Sequence, residues 1–370
     1  MRFPQMLSIL MAVILLNLAL ATFVPLSQAE AVPATVLNGS VVYDQGLGEG
    51  KHIFFNLNET NGLISDYGIN TSDGRKVLID NISLEGFIPT EIDLLGSLVK
   101  MSDDNASLTM HDNPTGLMHA KMTQVIMVSL ELAGDLVVIE QMESDEDEYA
   151  SYQLVVSDNV TRGLIVSDRA FDVLENGTII ETECKDLLVR FLPYVDPERG
   201  WREAVLMEAV EDGRISAEVF LAMNGEDSNS DVISYRTNIA VEVRSIHQDR
   251  FQIDVGGANP SGMLILVHAE ERTFKMAEKR LQVNLAGEDL RPVNEPMVLL
   301  YEHPVEPSYA VINEGDANQM LIFLPSETLG LVTVEDVGPW ASLLTPAGLI
   351  MAVGSVALVL LAGFLAFRKR

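Results

Sequence analysis

The sequence predicts an all-β ectodomain, built as tandem β-sandwich modules and followed by one C-terminal transmembrane α-helix. Short runs rich in Val, Ile, Leu and Phe recur about every ten residues with Gly, Asn and Asp between them, the rhythm of strands and turns in sandwiches. Between the two ends no stretch sustains a 3.6-residue period; residues 272–280 would allow about two helical turns. The segment 341–367 holds no charged residue and is closed by Arg368-Lys369-Arg370, a basic stop of the positive-inside kind.

Residues 1–29 read as a secretory signal peptide. Arg2 precedes an apolar run from Met6 to Ala21, and Ser27-Gln28-Ala29 supplies small residues where a signal peptidase needs them, with Ala29-Glu30-Ala31 as a second site. At the far end, Thr345-Pro346 is an N-cap followed by proline at the first helical position, where a missing N–H costs nothing. A helix from Pro346 to Phe367 would be about 33 Å long, enough for a hydrocarbon core of about 30 Å. Trp340 stands where an interfacial aromatic belongs. The expected placement is a single-pass type I protein of the cell membrane, its body extracellular and residues 368–370 cytoplasmic.

The exterior is expected to divide into three units. A β-rich glycosylated module at 30–142 includes a hairpin from Val125 through Ala133-Gly134-Asp135 to Ile139. The charge run Glu143 to Glu148 marks an acidic linker at 143–150, and a second β-rich module follows at 151–255. Its strongest hairpin signal is Ala204 to Met223: Val205, Met207 and Ala209 alternate up to Asp212-Gly213, and Ile215, Ala217, Val219 and Leu221 alternate back. Asp-Gly suits the two positive φ values of a type I′ turn. Gly256-Gly257 to Gly262 is the break before a membrane-proximal β-module at 256–336.

The chain carries 54 acidic and 24 basic residues, a net charge of −30. Nucleic acid and anionic lipid need a basic footprint, so both are excluded as partners. The single cysteine, Cys184, shares a strand face with Ile180 and Thr182 opposite Glu181 and Glu183, which predicts a buried thiol. Asn-x-Ser/Thr acceptors begin at Asn38, Asn58, Asn70, Asn81, Asn105, Asn159 and Asn176. Chance would give about two such triplets. All seven lie in the first half, which predicts a sugar-coated outer part; Asn176-Gly177 is also a hairpin turn signal. Glycosylated, acidic and cysteine-poor together point to an archaeal surface.

Chemistry is sparse. The six histidines (His52, His111, His119, His247, His268 and His303) are scattered and form no metal-binding helix motif. Gly46-Leu47-Gly48-Glu49-Gly50-Lys51 fails the spacing of a phosphate loop and reads as a β-turn. Asp227, Asn229 and Asp231 stand at alternate positions, as a calcium loop begins, and are the candidate calcium ligands. Val232 replaces the needed glycine, however, and Asn238 the bidentate glutamate, so a solvated polar loop is the alternative. No other cofactor and no catalytic residue is expected.

One resemblance covers residues 250–336. Ser261-Gly262-Met263-Leu264-Ile265-Leu266-Val267, Leu281 to Asp289, Tyr309-Ala310-Val311-Ile312 and Gln319 to Ser326 together resemble the membrane-proximal β-module of uncharacterised archaeal membrane-anchored cell-surface glycoproteins. In those proteins the strand ending in proline continues with His-Phe, whereas Ser326-Glu327-Thr328 follows here. The resemblance implies a surface role and no chemistry. The resulting expectation is a non-enzymatic cell-surface glycoprotein with a structural, adhesion or envelope-component role, its partners envelope or surface-layer proteins. A membrane-tethered extracellular enzyme or ligand-binding receptor is the first alternative, and an accessory subunit of a membrane complex the second.

Overall fold

Two long strands, Leu117–Leu132 and Ile179–Pro193, organise the first half of the chain. They pair antiparallel from Ile179–Glu131 to Val189–Met118, with a register shift where Cys184 and Asp186 face Ile126 and Lys121. On either side of this irregularity each strand takes a different outer neighbour. Residues 117–122 pair with Ala106–His111, and residues 128–132 with Gly74–Leu84. Residues 179–181 pair with Asp172–Leu174, and residues 187–193 with Thr161–Ser167. Bulges of this kind bend a strand and raise its twist. The result is a branched 14-stranded sheet whose limbs share one core, with Phe55, Tyr67, Leu108, Leu130, Val156 and Phe191 among its members.

This computed structural model describes residues 41–337, apart from 72–73, 114, 144–151, 159, 194–199, 225–226, 237, 258–261, 270–273, 275–280, 303, 315–316 and 327. The expected signal peptide, the expected transmembrane helix, Asn38 and Asn159 lie outside the described residues. Among the described residues no helix is long and apolar enough to cross a membrane.

The second half forms two more sheets. The second sheet runs Asp227–Ser234, Ala217–Asn224, Met263–Ala269, Ala317–Leu324, Ser308–Glu314, Arg291–Pro292 in lateral order, and the third runs Ile239–His247, Arg250–Gly257, Gly330–Asp336, Leu281–Leu285, Glu288–Asp289. They face each other across a core of odd-numbered residues on Ala217–Asn224 and Met263–Ala269 (Val219, Leu221, Met263, Ile265, Val267) that meets Phe251, Ile253, Val332 and Val334. The even-numbered residues of the same strands (Phe220, Ala222, Leu264, Leu266) enter a separate apolar cluster with Leu164, Leu188 and Leu192 of the first sheet. The second sheet is thus buried on both faces, which is why its strands read as unbroken apolar runs instead of alternating. Full burial of each such Leu, Ile or Phe stabilises the fold by about 1.5–3 kcal/mol, so three continuous cores hold the body together with Cys184 free and buried.

Several local expectations are corrected. Gly200–Glu211 is a helix, α1, and not the first strand of a hairpin. Val205, Met207 and Ala209 alternate, but Leu206 and Val210 are apolar too, and Leu206, Met207, Ala209 and Val210 are all buried, the i, i+1, i+3, i+4 face of a helix. Asp212-Gly213 ends this helix instead of turning a hairpin. Gly213 (φ 68°) donates to Val210 and Arg214 donates to Ala209 across five residues, the paired bonds of a Schellman cap. The returning strand, Ala217–Asn224, is present. The chain does turn at Gly134 (φ 62°), yet Val137–Glu143 pairs with Tyr152–Ser157 and not with the strand before the turn. Residues 144–151 lie outside the described residues, but Glu143 is the register partner of Tyr152. The strands on either side of the expected acidic linker therefore belong to one sheet. Gly257 closes a strand of the third sheet and Met263 opens one of the second, so the strands flanking the expected break at 256–262 lie in two different sheets. The change from first sheet to second falls at residues 194–216. A second short helix, α2, spans Pro296–Tyr301 and adds Leu299 and Leu300 to the cluster below α1.

Candidate functional site

Strand parity brings a polar stripe together where the first and second sheets face. On the first sheet the residues turned away from its own core include His111, His119, Lys121, Asp186 and Arg190, because their neighbours Met110, Met118, Ala120, Leu187 and Val189 point into that core. On the second sheet Phe220 is the register partner of both Asp231 and His268, and His268 that of Gln319. Asp231, Phe220, His268 and Gln319 therefore form one row across four strands, with Glu218 two residues before Phe220.

The two sets interlock. Asp231 Oδ2 lies 2.9 Å from His111 Nε2 and 2.9 Å from His119 Nδ1, and His119 Nε2 lies 3.0 Å from Asp186 Oδ1. Lys121 donates to the Val232 carbonyl at 2.6 Å and stands 3.8 Å from Asp231 Oδ1. The Phe220 ring packs against His111 on one side and His268 on the other, each at 4.2 Å between centroids, the second pair stacked with planes 7° apart. Glu218, fully buried, accepts from Arg190 Nη2 at 2.5 Å, from Tyr235 at 2.7 Å and from His268 Nε2 at 2.9 Å. Gln319 Nε2 donates to His268 Nδ1 at 3.3 Å.

The electrostatics follow from this geometry. Burial opposes charge on His119, but the Asp231 and Asp186 carboxylates outweigh it and hold its pKa up at about 9. Both ring nitrogens then donate, and the side chain is an imidazolium. Burial would raise Asp231, yet the His119 charge and the two histidine bonds hold it well below the usual carboxylate range. Glu218 behaves alike: burial is outweighed by the Arg190 guanidinium and His268. His111 goes the other way, lowered chiefly by burial. A neutral ring donating from Nε2 leaves its Nδ1 buried without a hydrogen-bond partner among the described residues.

His119 has no free nitrogen to act as a base, Asp231 and Glu218 are saturated with donors, and the bonds these histidines make go to Asp231, Asp186, Glu218 and Gln319, none of them a nucleophile awaiting activation. Buried ion pairs of this sort often add little net stability over apolar packing, but they fix which surfaces dock and in what register.

The candidate calcium ligands are not brought together. Asp227–Ser234 is a strand, not a loop, and alternate side chains on a strand stand about 6.6 Å apart along it, too far for three to close on an ion with bonds of about 2.4 Å. Asp227 is exposed, Asn229 half-buried, and Asp231 buried against the two histidines. Among the described residues no group of three or more His, Cys, Asp or Glu has the arrangement to hold a metal ion. In the stretch compared with a phosphate loop, Asp44–Leu47 is a tight hairpin whose Gln45 and Gly46 both have positive φ. The following Lys51, His52 and Ile53 amides all donate to the Asp112 carboxylate, within 3.1 Å.

Asn58, Asn105 and Asn176 are exposed in turns, while Asn70 and Asn81 sit half-buried on strands. Cys184, Thr182 and Ile180 are buried as expected from the charge alternation around them. The stripe itself was missed apart from Asp231. Its signal lay in single ionisable residues inside apolar runs: Arg190 in Leu188 to Leu192, Glu218 in Ala217 to Ala222, and His268 at the end of Met263 to Val267. A lone charge on a doubly buried strand must have a partner.

No family model matches the chain, and no curated protein matches it. Among solved structures it is similar to a glycoside hydrolase family 81 protein from Clostridium thermocellum, in a mutant form, at 9% identity and a TM-score of 0.27, over 80% of this chain and 36% of that one. The chain spans little more than a third of that protein's length, and a likeness of this degree carries no argument about activity.

Proposed function

We propose that the chain is a single-pass cell-surface glycoprotein with a structural, adhesion or envelope-component role. In this reading tandem β-sandwich layers make a firm body, carried on the membrane by the apolar segment 341–367. One observation supports the role above others: His111, His119, His268, Asp231 and Glu218, which could do acid–base work, are closed into the joint between two sheets. A joint whose carboxylates are occupied by its own side chains suits a load-bearing stack of layers better than a site that must admit a substrate. The acidic charge and the acceptor triplets suit an exterior rich in cations and sugars.

Protease treatment of intact cells tests the reading. The expected result is loss of the body from whole cells, with an apolar C-terminal fragment retained in the membrane fraction. Recovery of the uncleaved chain in the soluble fraction overturns it.

A further inference from the structure

We infer that the folded body sorts its own acceptor asparagines, with sugar carried at Asn58, Asn105 and Asn176 and excluded from Asn70 and Asn81. The inference rests on the glycoprotein reading above and adds which sites are used. The atom to be modified is the side-chain amide Nδ2. A lipid-phosphate-linked sugar donor would transfer its anomeric carbon to Nδ2; the nitrogen loses one hydrogen as a proton and the lipid phosphate leaves with the bonding electrons. That nitrogen must be reachable and free of other duties.

Three acceptors meet both conditions. Asn58 follows the strand Ile53–Leu57, and its Oδ1 accepts from the Thr60 amide at 3.0 Å, an Asx turn that leaves Nδ2 as the outward end. Asn105 is exposed between Leu98–Ser102 and Ala106–His111; its backbone amide is held by Asp103 Oδ1 at 2.7 Å, and its side chain makes no hydrogen bond among the described residues. Asn176 is exposed with φ 58° in the turn between Asp172–Leu174 and Ile179–Pro193. The acceptor's hydroxyl partner, Thr178, donates to the Glu175 carbonyl at 2.9 Å and keeps that turn closed.

The other two spend the same atom on the fold. Asn70 Nδ2 donates to the Gly50 carbonyl at 3.1 Å and approaches that of Lys51 at 3.4 Å, tying one strand to the turn whose amides Asp112 holds. Asn81 Nδ2 donates to Glu131 Oε2 at 2.6 Å across paired strands. A sugar at either would displace a hydrogen bond and wedge a bulky group onto a paired strand. Two of these acceptors also lie near one another: Asp103 binds the amides of both Asn105 and Ile88, and Gly62 of the Asn58 turn packs close to the Phe87 carbonyl. Sugars at Asn58 and Asn105 would thereby flank Ile88, an exposed apolar side chain.

Site-resolved mass spectrometry of the full chain extracted from its native membrane is the test. The expected result is sugar on Asn58, Asn105 and Asn176 and unmodified Asn70 and Asn81. Sugar on Asn70 or Asn81 at comparable occupancy overturns the inference while leaving the glycoprotein reading intact, as does modification confined to Asn38 or Asn159. All seven bare would overturn both. A stability measurement separates the classes independently: Asn70→Gln and Asn81→Gln should lower the melting temperature of unglycosylated chain, and Asn105→Gln should not. Equal effects across the three variants would count against the sorting.

Discussion

His119 and Asp231, 112 residues apart in sequence, are joined through Nδ1 at 2.9–3.0 Å from both carboxylate oxygens, each side chain buried and each from a different sheet. Among the described residues no backbone hydrogen bond is seen between these two sheets, and side chains such as this pair dock them. Replacing Asp231 by Asn should therefore destabilise the chain by about 3–5 kcal/mol, the usual cost of stranding one member of a buried pair. Asp227→Asn, on the exposed end of the same strand, should stay within about 0.5 kcal/mol. Urea unfolding of both variants decides it; equal losses would deny the stripe its role.

Stability should peak near neutral pH. His119 is raised from 6.5 to about 9, so its contribution is complete below pH 6.5 and is lost as pH rises through about 9. That shift corresponds to roughly 3 kcal/mol. His111 is lowered, so its unfolded form takes a proton first, and stability falls as pH drops below 6.5. Asp231 is lowered too, and its contribution disappears as pH falls through and below 3.8. The groups facing His119 are Asp231 from the second sheet, and Asp186, His111 and Lys121 from the first. Melting temperatures from pH 4 to 10 should trace this dome, and His119→Gln should flatten its alkaline side. An unchanged alkaline limb in that variant would refute the assignment.

Arg190 and Glu218 should be strongly coupled. Each is buried, and their 2.5 Å contact is one of three that saturate the Glu218 carboxylate. Glu218→Gln leaves a guanidinium without its counter-charge, as Arg190→Met leaves a carboxylate, and either should cost several kcal/mol. The double variant removes both charges, so it should be less destabilised than the sum by about 1–3 kcal/mol. Additive losses in a denaturant double-mutant cycle would show the pair to be incidental.

Gly213 offers a test of the element that sequence patterning misread. With φ at 68° it closes α1 through the Schellman bonds. Gly213→Ala should cost about 1–2 kcal/mol from left-handed backbone strain, without altering the sheets. A neutral or stabilising result would argue against the cap.

The all-β class was legible because strand and turn chemistry repeat locally, and so was the burial of Cys184, where charges alternate residue by residue. Ala204 to Ala209 was misread since every second residue is apolar in a run where most residues are apolar; the 3.6 period through Leu206 and Val210 was hidden in the same letters. Asp212-Gly213 serves a hairpin or a helix end equally well, for both need a positive φ. The stripe was harder still. Partners such as Asp186, His119 and Asp231 meet only after the sheets have formed and faced each other, and periodicity says which side of a strand a residue takes but not what lies opposite.

Cys184 adjoins the register shift at which the two long strands change neighbours. Burial, the dominant influence, pushes its thiol up to about 12, and the thiolate is the reactive form. An alkylating reagent at pH 8 should therefore leave the native chain untouched and label it fully in denaturant. The label must wait for an opening that parts Leu117–Leu132 from Ile179–Pro193, so the native rate reports how often that central ladder breaks. Loosening the stripe with Asp231→Asn should speed labelling if the sheet interface braces the ladder, because Asp186 serves both. Labelling of the native chain at the rate of a free thiol would place Cys184 at the surface and contradict the packing of the bend.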